Sequence, residues 1–397
     1  MYATLEPAPR LALRPVPANE PVRVCFMVDR LSRAGTETQL LALIRSLDRS
    51  RVEPTLVLLD GADDLSRSLE PADCRVLRLG VKKLLGRGAI RAAGRLREFW
   101  RSERPDVLQA YFLDSAYFGV PLARWAGISR VLRVRNNLGY WLTPRHRLMN
   151  RIIRPLVDLT LTNTEAGKAA LMERDGLAAD RVAVLENGVD THRFNRFLLP
   201  DTSKKRVRIG CVANLRAVKN VDGLMRAAKL ALDRHPHLRF EVAGEGEERG
   251  TLEKLHAELG LGDRFVLKGS VADVSGFLRT VEIAVLPSHS EGMSNALLEA
   301  MSAGRAVIAT DVGANAKLVR HEKSGLIVPA RDEAAIARGI ERYLEQPLRA
   351  AAYGAAARTH VEAEYSREAM TRRFEDFYER LVAPTPVRRA VPRVRAA

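Results

Sequence analysis

The chain has 397 residues, 46% of them hydrophobic and 28% charged, with a formal charge of +16. That length exceeds one ordinary hydrophobic core, so two domains are expected. Three cysteines without C-x-x-C spacing argue against zinc and a disulfide framework, and no apolar run approaches the roughly twenty residues of a membrane span.

Residues 1–20 are proline-rich and broken by Arg10, Arg14 and Glu20, which reads as a disordered leader rather than a signal peptide. A first strand is expected at 22–28, then a loop at 29–35 and a helix from Thr36. Strands follow at 53–59 and 107–110, with a basic helix near 89–101 between them. Strand-like runs at 130–135 and 159–163 enclose a helix near 145–153. This alternation predicts a doubly wound α/β domain over 21–190.

The same pattern restarts in the second half. Strands at 207–213, 238–243, 265–268, 283–286, 306–310 and 326–328 alternate with helices, one from about 220 to 234. A second Rossmann-like domain is therefore expected over 191–365. The turn at Asn187 and Gly188, with the aperiodic residues up to Pro200, marks the boundary. A last helix over 366–383 carries Met370, Phe374, Phe377 and Leu381 on one face, and the basic tail 384–397 reads as disordered.

The positive excess is shared equally between residues 1–190 and 191–397, with local clusters at 82–104 and 145–154. Anionic lipid or an anionic substrate explains it as readily as nucleic acid. No recognition helix, aromatic stacking platform or zinc module supports nucleic acid, so none is expected as partner. In 145–155 the apolar residues Leu148, Met149, Ile152 and Ile153 oppose Arg147, Arg151 and Arg154. Packing in the domain core is the favoured reading, and docking on anionic lipid the alternative.

Chemistry concentrates in Ser290-Glu-Gly-Met-Ser-Asn-Ala-Leu-Leu-Glu-Ala-Met-Ser-Ala-Gly304, a loop entering a helix between two buried strands. The helix begins after Gly292, with Ser294 or Asn295 as cap, and its free N–H groups form an anion site. Glu291 and Glu299 flank it. With Asn295 and Ser302, Glu299 either forms a solvent stripe or faces a cleft at the carboxyl ends of the strands. In the cleft its carboxylate would accept hydrogen bonds from a ribose diol. The glycine loop 244–250 has G-x-G-x3-G spacing and reads as a tight turn, with Gly244 approaching the nucleotide.

Glu291 and Glu299, seven residues between them, resemble the E-x7-E signature of the retaining glycosyltransferases of family four, group 1 type. The resemblance continues in 213–220, 242–247, 185–190, 310–319 and 325–329. It implies the GT-B architecture, two Rossmann-like domains facing across a cleft, with the last helix returning to the first domain. It also implies that Glu291 contacts the donor sugar and Glu299 the ribose, while backbone amides of Gly292, Met293, Ser294 and Asn295 approach sugar and diphosphate. Lys219 would neutralise the leaving diphosphate, with Arg216 substituting for an arginine that relatives carry at the position of Asn214. The donor would be a UDP- or GDP-sugar, with no separate cofactor. Absence of Asp-x-Asp and unclustered histidines agree with no metal.

By the same resemblance the first domain binds a glycan or lipid-linked acceptor. Gly35 looks like the second glycine of a Gly-Gly loop whose first is here Ala34. A histidine frequent in relatives is missing from 107–114, where Gln109, Tyr111 and Asp114 are candidates. Arg135 and Asn136 are placed near sugar or acceptor. The expected setting is cytoplasmic, with possible peripheral contact with an anionic membrane. Rival readings are a nucleotide-sugar epimerase or phosphorylase on the same fold, and a non-catalytic nucleotide-sugar or nucleic-acid binding protein.

Overall fold

The computed structural model describes residues 20–32, 34–60, 63–136, 142–194 and 198–383. The rest of the expected leader, the tail 384–397 and the polar residues 137–141 lie outside these segments. Among the described residues the chain builds two all-parallel sheets, one of seven strands and one of six.

The first sheet contains β1 (Val22–Val28), β2 (Val52–Leu58), β3 (Arg75–Arg78), β4 (Val107–Ala110), β5 (Arg130–Val134), β6 (Leu159–Thr162) and β7 (Val182–Val184). Their order is β3-β2-β1-β4-β5-β6-β7. The second holds β8 (Arg208–Val212), β9 (Arg239–Ala243), β10 (Phe265–Gly269), β11 (Ile283–Leu286), β12 (Ala306–Thr310) and β13 (Leu326–Val328), ordered β10-β9-β8-β11-β12-β13. Each sheet therefore reverses its winding once, between β1 and β4 and between β8 and β11. In such sheets ligands sit beyond the carboxyl ends of the strands at that reversal.

Central strands are apolar on both faces because helices cover both sides. Phe26, Met27 and Val28 of β1 and every residue of β11 and β12 are buried. Edge strand β3 instead reads Arg-Val-Leu-Arg, with both arginines exposed.

The last helix, Arg367–Val382, is capped by Ser366, whose hydroxyl accepts from Ala369 N at 3.2 Å. It packs on the first sheet, with Met370, Phe374, Tyr378 and Val382 in the core that holds Val24, Phe26 and Leu40. Tyr378, buried on that face, donates to Gln109 Oε1 at 2.8 Å, and Gln109 Nε2 donates to Tyr111 at 2.7 Å. Gln109 and Tyr111 thus anchor the returning helix. Arg51 adds a charged clasp, reaching Glu375 at 2.8 Å, Asp376 at 2.7 Å and Glu379 at 2.7 Å.

The helix Pro144–Ile153 corrects a favoured expectation. Ile153 is buried, but Leu148 is 59% and Ile152 57% exposed. Alternation of apolar and basic residues here marks a surface, because only the last turn meets the core. Trp100, by contrast, is buried, with its indole N–H 3.3 Å from Cys25 Sγ.

Candidate active site

The loop after β11 is held from several sides before the helix Asn295–Ser302 begins. Asn220, in a left-handed conformation (φ 53°), donates its side-chain amide to Pro287 O at 2.9 Å. Thr310 at the end of β12 donates to Ser288 O at 2.7 Å, and His289 N donates to Val218 O at 2.8 Å. Gly292 O accepts from Ala314 N at 3.0 Å. Gly313 lies beneath the loop with φ 57°, and a Cβ there would sit 2.1 Å from the Glu291 carbonyl oxygen. Only glycine permits that approach.

Within this frame Glu291 is fixed by two donors. Lys219 Nζ and Ser288 Oγ each reach its Oε1 at 2.7 Å, and the carboxylate side chain is only 9% exposed. A charge-assisted pair of this kind holds both groups in one orientation. Arg216 is different. Its side chain is 61% exposed and its nearest carboxylate, Glu247, is 3.8 Å away. Such an exposed contact constrains little.

Ser294 caps the 295–302 helix, its hydroxyl accepting from Leu297 N at 3.3 Å. Leu297, Leu298, Ala300 and Met301 pack into the second core, which leaves Glu299 on the remaining face. The Glu299 backbone carbonyl accepts from Ala303 N at 2.9 Å within the helix, but its carboxylate makes no hydrogen bond or ion pair with any described residue. Burial pushes its carboxyl up to about 7, partly offset by Arg193.

Asn295 and the loop before it form the seam with the first domain. Asn295 Oδ1 accepts from Gln39 Nε2 at 3.1 Å and Asn187 Nδ2 at 2.9 Å, while its Nδ2 donates to Gly35 O at 3.3 Å. A Cβ on Gly35 would meet that amide at 3.2 Å, and one on Gly292 would lie 2.7 Å from Asn136 O. The helix Gly35–Ser46 starts at Ala34 without a side-chain cap. The N-terminal ends of the two helices therefore meet at this seam, through Gly35 and Asn295, and helix N-termini favour an anion. Met293 is buried, with its sulfur 3.2 Å from Asn187 N.

Other expected site residues lie further out. Gly244 packs on the β8 loop, where a Cβ would be 1.8 Å from Ala213 O. Asp114 is exposed, and the half-buried acid nearby is Asp29, which accepts from Ser115 N at 2.8 Å and Ser115 Oγ at 2.5 Å. Arg135 is buried and paired with Asp175. The sequence reading missed Gln39, Asn187 as a contact, Asn220, Thr310, Gly313 and Arg193. Of these, Asn220 and Gly313 carry a local signal, since Asn and Gly favour left-handed backbone. Among the described residues no group of three or more His, Cys, Asp or Glu could hold a metal.

Two doubly wound, all-parallel domains that meet at the terminus of the 295–302 helix define the GT-B class. Residues 33–193 match the profile of Glycosyltransferase Family 4, and residues 199–360 that of Glycosyl transferases group 1. The chain belongs to this group 1 family of GT-B glycosyltransferases. It is 32% identical over 199 residues to the lipopolysaccharide core biosynthesis mannosyltransferase LpcC of Rhizobium leguminosarum bv. viciae, covering 47% of this chain and 56% of that protein. It is 30% identical to D-inositol 3-phosphate glycosyltransferase of Streptomyces scabiei, covering 52% of this chain and 50% of that protein. The chain thus spans about half the length of each of these two relatives. With the GDP-mannose-dependent alpha-(1-6)-phosphatidylinositol monomannoside mannosyltransferase of Mycobacterium tuberculosis it shares 28% identity over 68% of this chain and 77% of that one. Among solved structures, Anabaena Alr3699/HepE in complex with UDP superposes with a TM-score of 0.77 at 18% identity, covering 90% of this chain and 100% of the other.

Proposed function

We propose that the protein transfers a hexose from a nucleotide-diphosphate sugar to a glycan or lipid-linked acceptor, with retention at the anomeric carbon. The observation that carries this reading is the unpartnered Glu299 on the same short helix whose N-terminus adjoins the Lys219–Glu291 pair. Glu299 receives the ribose hydroxyls, the helix terminus receives the diphosphate, and Glu291 orients the sugar. As the anomeric C–O bond breaks, its electron pair passes to the diphosphate oxygen, where Lys219 and the helix terminus stabilise the new charge. Arg216 joins them by leaving its weak contact with Glu247. The acceptor hydroxyl attacks from the face the diphosphate leaves, and its proton passes to the departing phosphate.

The names of relatives support a GDP- or UDP-linked donor and an acceptor in surface glycan or glycolipid synthesis. Exposed Leu148 and Ile152 beside Arg147 and Arg151 support peripheral contact with anionic lipid at a cytoplasmic membrane face. No described helix is long and apolar enough to cross a membrane.

Proton NMR of slow donor hydrolysis tests retention. The expected first-formed sugar keeps the donor's anomeric configuration, and release of the opposite anomer refutes the mechanism.

A further inference from the structure

A cavity of about 300 Å3 lies against the first sheet, between the helix Pro144–Ile153 and the end of the helix Glu165–Asp175. It is far larger than a single water requires. Seven arginines and two aspartates line it. Both aspartates are already engaged: Asp158 accepts from Arg124 at 2.6 Å and Val131 N at 2.7 Å, and Asp175 pairs with Arg135.

Arg133, 5% exposed, lines this chamber, and its Nε and Nη2 have no hydrogen-bond partner. The Tyr117 ring 6.0 Å away is its aromatic neighbour. Burial pushes the guanidinium down to about 10, and Arg135 beside it likewise. A buried cation without an anion is costly, so the chamber is incomplete as it stands. Arg147 and Arg151 close it from the 144–153 helix, one turn apart.

We propose that this chamber binds a phosphate group carried by the acceptor, with Arg133 as its buried anchor. Tetrahedral phosphate offers oxygens in several directions, which suits planar guanidinium forks converging from β5 with its following residues and from the 144–153 helix. A single carboxylate would serve fewer of them. Arg135 lines the chamber, and the next residue, Asn136, abuts Gly292 of the β11 loop. A phosphate held here therefore keeps the attached acceptor close to the transferred sugar. Assignment to the acceptor rests on the function proposed above, whereas anion binding rests on the chamber alone. The phosphate is either a lipid headgroup, for which exposed Leu148 and Ile152 provide an apolar footing, or a soluble phosphate ester.

Calorimetric titration of glycerol 3-phosphate, with UDP or GDP already saturating, separates this site from the donor site. Arg133→Met and Arg151→Ala should each weaken glycerol 3-phosphate binding, the former by at least about tenfold, and leave nucleotide affinity unchanged. Arg133→Met should also melt no lower than the wild type without ligand, because it removes an unpaired buried charge. Wild-type affinity in both variants, or no glycerol 3-phosphate binding to the wild type, overturns the proposal. Failure of nucleotides to bind would instead sink the donor reading and leave the anion titration interpretable. Flotation with vesicles of phosphatidylglycerol against phosphatidylcholine distinguishes the sources. Phosphatidylglycerol binding lost in Arg133→Met assigns a headgroup, and glycerol 3-phosphate binding without vesicle binding assigns a soluble ester.

Discussion

Lys219→Ala is expected to turn over its donor on the order of 10²-fold more slowly than the wild type. Its ammonium is 2.7 Å from Glu291 and stands at the loop where the leaving diphosphate is proposed to sit. The same substitution should cost stability, because Glu291 keeps only Ser288 as a donor while remaining 9% exposed. That loss is roughly 2 kcal/mol, below the range for fully buried pairs because Lys219 retains 25% of its side-chain exposure. Glu291→Gln separates the two effects. It removes the uncompensated charge, so Lys219→Ala combined with Glu291→Gln should regain melting temperature without regaining kcat. A near-normal kcat in Lys219→Ala removes it from the mechanism.

Glu299→Ala should weaken binding of the free nucleoside diphosphate by about 10- to 100-fold, the loss expected for hydrogen bonds to a charged group. The carboxyl is already held near 7 by burial, so the wild-type affinity should rise between pH 6 and pH 8 as the acceptor ionises. Glu299→Gln should flatten that rise. Stability without ligand runs the other way. The folded carboxyl, at about 7, lies above its ordinary value of 4.5, so the folded state holds the extra proton between them. The contribution is complete below about pH 4.5 and is lost as pH climbs through 7. Glu299→Gln should therefore raise the melting temperature at pH 8 more than at pH 5. Unchanged nucleotide affinity in Glu299→Ala refutes the ribose role.

Much of this fold was legible because buried parallel strands announce themselves. Residues 24–28 and 306–309 are apolar on both faces, and β1 and β12 fall within the boundaries expected of them. Strands β3 and β7 were not, since edge strands of three or four residues with polar or half-exposed faces carry no periodicity. The carboxylates of the β11 loop stood out by resemblance, and their geometry did not. Nothing local in Gln39 or Asn187 signals that both meet Asn295, because that contact joins side chains 256 and 108 residues apart. The 144–153 helix shows the converse limit. Its amphipathic pattern was plain, yet a pattern cannot say whether the apolar side meets core or solvent. Arg133 escaped for a similar reason: nothing local in its strand says that tertiary packing buries it.

The central claim is that the terminus of the 295–302 helix and its two glutamates hold a nucleotide-diphosphate sugar. A thermal-shift screen of the unliganded protein against uridine, UMP, UDP, UDP-sugars and their guanosine counterparts tests it most directly, since a ligand of the folded state raises the melting temperature. One nucleotide series should stabilise in the order nucleoside, monophosphate, diphosphate, with the diphosphate shift reduced in Glu299→Ala. No shift with any diphosphate, or shifts indifferent to Glu299, would contradict the account.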